Sequence, residues 1–82
     1  MKEQLIKDIN SIVKSLSNKD EIKLGIIIDK YNKLKELILN NQLNTNIVKG
    51  SVKAYLGVFS DYENPVLEQM SLMEKNIDVM IQ

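Results

Sequence analysis

Aliphatic residues recur at three- and four-residue intervals through nearly the whole chain, and that spacing constrains the fold more than any other feature. An α-helix advances about 100° per residue, so positions three and four apart share a face, whereas a half-buried strand alternates every second residue. The pattern is cleanest over residues 2–17, where Leu5, Ile6, Ile9, Ile12, Val13 and Leu16 are separated only by polar or charged positions. These six fall within one stripe roughly 120° wide, which predicts an outer helix with one face inward. Ser17-Asn18-Lys19-Asp20 interrupts the pattern. Asn18 followed three residues later by Glu21 resembles a capping box that starts the next helix after a tight turn.

A second helix is expected from about Lys19 to Leu39 or Asn40, with Leu24, Ile27, Tyr31, Leu34 and Ile38 forming a heptad-like seam. Ile22, Ile26 and Leu37 make a second apolar flank on it. The Asn-rich stretch 40–46 reads as the central loop, with Asn44, Thr45 or Asn46 capping a third helix that begins near Ile47. Val48, Val52, Tyr55, Phe59 and Tyr62 give that helix its seam. Gly50, Ala54 and Gly57 form a stripe of small residues on its other side. Two Gly inside a helix cost about 1 kcal/mol each relative to Ala, a cost easier to tolerate if something packs closely on them. Pro65 suits the first position of a helix capped by Asn64, so the chain is expected to break near 61–64. The last helix then carries Val66, Met70, Met73, Ile77 and Met80 inward, with Leu72 and Val79 on a second flank.

Four segments of roughly 15 to 21 residues, each about 22 to 32 Å long, predict a small all-α antiparallel four-helix bundle in one domain over 1–82. The alternative is three helices, the last one long and kinked at Pro65. The chain has no Cys and no His, so neither disulfides nor zinc can staple so small a core. The same absence rules out Ser-His and Cys-His nucleophile pairs and the His half of a di-iron carboxylate site. Gly25, Gly50 and Gly57 are too far apart for a phosphate-binding loop. Asp61, Glu63 and Asn64 cluster before Pro65, but turn solvation and helix capping explain them better than a cation does. The expectation is no catalysis, no metal and no cofactor.

Eleven Lys balance eleven acidic residues, and there is no Arg to grip phosphate or guanine, which argues against nucleic acid as a partner. Lys gathers in the first half, whereas residues 61–82 carry five acids against Lys75 alone. The favoured reading packs this acidic helix beside Lys30, Lys33 and Lys35; the alternative is an acidic face that steers a basic partner. No apolar run is long enough to span a bilayer, and the opening Met-Lys-Glu-Gln lacks a secretory layout, so a cytoplasmic location is expected. Abundant Ile, Asn and Lys with a single Ala is what AT-rich coding yields, which points to a low-GC bacterium.

Nine residues are candidates for an interface: Ile22, Ile26 and Leu37; Gly50, Ala54 and Gly57; Tyr62; and Leu72 with Val79. Together they exceed what one small core needs, which favours binding of a protein partner or self-association. In size and expected architecture the chain resembles the small helical-bundle immunity proteins of Gram-positive bacteria, a likeness of fold without a shared motif. The reading is a non-enzymatic interaction protein: an adaptor, inhibitor or immunity factor, with a homo-oligomer favoured. Its rival is membrane-surface association through the first helix, whose clean apolar face accompanies Lys2, Lys7 and Lys14.

Overall fold

Helices α1 (Lys2–Ser17), α2 (Gly25–Leu39), α3 (Ser51–Leu56) and α4 (Pro65–Met80) pack into an antiparallel four-helix bundle in a computed structural model that describes residues 2–60 and 62–81. No strand occurs among the described residues. The longest dimension is 33 Å, well short of the ~48 Å that two 16-residue helices end to end would span, so the long helices lie side by side. α1 packs against both α2 and α4, and α3 packs against α4 and α2.

The periodic apolar positions form the core as the spacing predicts. Leu5, Ile9, Ile12 and Leu16 of α1 are buried, with Ile6 and Val13 half-buried at the stripe's edge. The whole seam Leu24, Ile27, Tyr31, Leu34 and Ile38 is buried. α4 contributes Val66, Met70, Met73 and Ile77, together with Leu67, which the expected stripe omits. Met80 departs from expectation in the other direction, lying 42% exposed at the end of the helix.

The turn after α1 differs from the predicted capping box. Asp20 adopts a left-handed conformation (φ 51°), which reverses the chain and is incompatible with a helix starting at Lys19. Glu21 is the cap instead, its Oε1 accepting from the Lys23 N–H at 3.2 Å. It opens a single 3-10 turn over Ile22–Leu24, and α2 begins only at Gly25. α2 closes with a Schellman arrangement built on Asn rather than Gly. Asn41 (φ 55°) donates to the Ile38 carbonyl at 3.2 Å, and Gln42 donates to the Leu37 carbonyl at 2.9 Å.

The third helix is the largest correction. It has 6 residues, so the expectation of four segments of matched length fails. One turn forms over residues 47–50, and Gly50 then takes φ 86°, a left-handed conformation that a continuous helix cannot hold. The helix that follows ends at Gly57, whose N–H caps back onto the Lys53 carbonyl at 3.1 Å. Both glycines are therefore boundary residues, not interior ones, and the supposed interior penalty does not arise. The break before Pro65 is as expected. Asn64 Oδ1 accepts from the Val66 N–H at 3.0 Å, Pro65 opens α4, and no helix runs continuously through it.

Candidate functional site

Two features stand apart from the aliphatic core: a polar chain beneath α3, and a set of large apolar side chains left on the surface. The polar chain begins at Tyr31, a fully buried residue of α2 whose hydroxyl lies 2.7 Å from Ser51 Oγ. Ser51 is itself buried, and its Oγ donates to Glu74 Oε2 of α4 at 3.1 Å. A hydroxyl has one proton and an ionised carboxylate has none, so Ser51 gives its proton to Glu74 and accepts that of Tyr31. Glu74 also receives the Gly50 N–H at 2.8 Å and the Val52 N–H at 3.1 Å. These are two of the donors that the start of a helix leaves without intrahelical partners, so a carboxylate of the next helix does the work of a cap.

Asn46 adds a second tie on the same side. Its Nδ2 donates to the Glu74 carbonyl and to Asp78 Oδ1, both at 2.9 Å, while its Oδ1 accepts from the Val48 N–H at 3.2 Å. It caps the turn over 47–50, not α3 itself. The acidic side of α4 thus faces backbone donors and an amide. It does not pair with the lysines of α2: Lys33 bridges to Glu36 within its own helix at 3.7 Å, and Lys35 donates to Asn10 of α1 at 2.9 Å. The predicted pairing of the acidic helix with Lys-rich α2 is therefore corrected.

Chemically this chain of groups is built to hold, not to react. Burial pushes the Tyr31 phenol up to about 12; the Ser51 hydrogen bond opposes that rise and the Glu74 charge adds to it. A phenol so high neither gives nor takes protons near neutrality. Among the described residues no group of three or more carboxylates gathers to hold a metal ion, and every buried side-chain nitrogen or oxygen has a partner. Asp61, one member of the carboxylate cluster weighed before Pro65, lies outside the described residues.

The surface candidates separate into distinct places. Ile22 is 94% exposed on the 3-10 turn and Ile26 is 70% exposed at the start of α2. Leu37, further along α2, is half-buried and lines a crevice with Ile38, Asn41, Leu43 and Met80, so it does not join them. Leu72 and Val79, 53% and 69% exposed, lie on the outer face of α4. Val79 borders a groove of about 210 Å³ with Leu5, Met80, Gln4, Asp8 and Asn76 between α1 and α4. Tyr62 projects from the turn before α4, 70% exposed.

Gly50, Ala54 and Gly57 are exposed but form no helical stripe, since only Ala54 lies within α3. Nothing comes within 4 Å of where a Cβ on Gly50 would sit, and at Gly57 the nearest atom is the Ala54 carbonyl oxygen of the same turn. No other segment packs where a Cβ on either glycine would sit, and the helical stripe that the spacing predicts does not form. Sequence reasoning missed the Tyr31-Ser51-Glu74 chain. Its one local signal is Ser51 directly after Gly50, a capping residue type next to a helix-ending one.

The family model of YeeD, described as an uncharacterised protein, matches residues 1–82. The chain belongs to that family. No curated protein and no solved structure matches it.

Proposed function

We propose that this chain is a non-enzymatic interaction module of the bacterial cytoplasm, binding another protein as an adaptor, inhibitor or immunity factor. The observation that carries the reading is the pair Ile22 and Ile26, four residues apart and almost bare, beside a core that is complete without them. Burying an Ile side chain is worth about 1.5 to 3 kcal/mol, so two left outside offer a partner a substantial gain. Aliphatic anchors with charged neighbours, here Glu21 and Lys23, match the apolar centre and polar rim of protein interfaces. Balanced charge and the lack of Arg speak against nucleic acid. Burial of Leu5, Ile9, Ile12 and Leu16 in the core speaks against the membrane alternative, which needs that face of α1 outside. No helix among the described residues is long and apolar enough to cross a membrane.

The test compares the chain with its Ile22→Glu/Ile26→Glu variant, each immobilised and exposed to native lysate. The reading predicts a protein retained by the first and lost from the second, with unchanged circular dichroism. Identical retention by both, or turnover of a substrate by the purified chain, would refute it.

A further inference from the structure

We propose that a second copy of this chain occupies the outer face of α4, docked antiparallel about a two-fold axis at Leu72. This rests on the interaction reading above and names one partner for it. The inner face of α4 is filled by Val66, Leu67, Met70, Met73 and Ile77, and Glu74 and Asp78 are engaged toward α3. The remaining face is exposed along its whole length, and its residues form an ordered pattern. Pro65, Leu72 and Val79, seven apart, lie along its midline. Glu68 and Lys75 flank the midline on one side, Gln69 and Asn76 on the other.

That pattern is complementary to itself only end for end. When two such helices face each other about an axis perpendicular to them, the same flank of each meets. Glu68 lies about 6 Å before Leu72 and Lys75 about 4.5 Å after it. Each carboxylate therefore comes level, to within about 1.5 Å along the axis, with the ammonium of the other copy, and symmetry makes the pair twice. Gln69 and Asn76 meet in the same way, amide to amide, while Leu72 meets its own copy and Pro65 meets Val79. A parallel pair, about an axis running along the helices, would bring opposite flanks together, Glu68 and Lys75 against Gln69 and Asn76, and would form no ion pair. Neither Glu68 nor Lys75 is engaged by another described residue, and Gln69 makes only a 3.4 Å contact from its Nε2 to Ser11 Oγ. A contact built on one 16-residue helix falls below the ~1,000 Å² of stable complexes, so the dimer dissociates on dilution.

Sedimentation equilibrium on the full chain tests this, with cysteine cross-linking to fix the geometry, since the natural chain has no Cys. A reversible monomer–dimer equilibrium is expected. Leu72→Lys should abolish the dimer with its helical circular dichroism intact. Glu68→Lys should weaken it about fivefold to tenfold, and Glu68→Lys/Lys75→Glu should restore it. Under oxidation Leu72→Cys should give a disulfide-linked dimer. Val79→Cys should not, because in this pairing the two positions lie ~21 Å apart, far beyond disulfide reach. A chain that stays monomeric at every concentration would overturn the inference, as would cross-linking at position 79 but not 72. If that monomer still retained a partner through Ile22 and Ile26, the interaction reading would stand alone.

Discussion

α1 and α4 are equally long at 16 residues and pack against each other, yet they use their apolar residues in opposite ways. Every apolar side chain described in α1 points into the bundle or borders it. α4 has three sides: one in the core, one whose Glu74 binds the start of α3 and whose Asp78 holds Asn46, and one that leaves Leu72 and Val79 in solvent. α1 is therefore a wall of the core and nothing else. α4 ties the start of the short α3 to the core through Glu74, and still presents a face outward.

The sharpest way to probe the one-sided helix is Ile12→Ala. Ile12 is fully buried, and removing its outer carbons should cost about 3 kcal/mol in urea unfolding. A loss below 1 kcal/mol would mean that α1 is not the wall described here. Next comes the acidic side of α4. Glu74→Ala leaves the Gly50 and Val52 N–H groups and Ser51 Oγ without their acceptor. The expected cost is about 2 kcal/mol. Hydrogen exchange should show lost protection at Gly50 and Val52 while the amides of α1 retain theirs. If Glu74 were merely solvated, stability would move by less than about 0.5 kcal/mol.

Alkaline pH reads the same network from its far end. Tyr31 titrates near 10 in the unfolded chain and about 12 in the fold. Below pH 10 both states keep the proton and the phenol adds no pH dependence. Between 10 and 12 the unfolded state releases it first, so stability falls by an amount on the order of 2 kcal/mol. Tyr31→Phe should flatten that slope, which unfolding curves at stepped pH would show. An unchanged slope in the variant would place the alkaline loss elsewhere.

How much of this was legible in the sequence follows the same contrast. The spacing of α1, the seam of α2 and the Asn64-Pro65 start of α4 are local signals, each carried within a few residues, and all three appear in the fold. The short α3 was misjudged because its apolar spacing continues through Gly50 while the backbone does not. The residue that completes its cap, Glu74, lies more than twenty positions away, where no periodicity can point to it. The turn over 17–20 lies where the sequence places it, but its cap does not: Asn18 and Glu21 fit a capping box, and only the reversal of the chain selects the left-handed Asp20 between them and makes Glu21 the cap. Among the apolar interface candidates, Ile22, Ile26, Leu72 and Val79 lie off the heptad seams and are exposed, whereas Leu37, also off the seam, is half-buried and Tyr62 is exposed although the expected seam includes it. The glycines failed as a stripe because their role is conformational.

The central claim is that α4 carries a face the fold does not need. Urea unfolding of the Leu72→Ser/Val79→Ser variant against the natural chain, at a dilution where both are monomeric, tests it most directly. The account predicts unfolding free energies that agree to within about 0.5 kcal/mol. A loss of several kcal/mol, the size expected for a core residue such as Ile12, would contradict it.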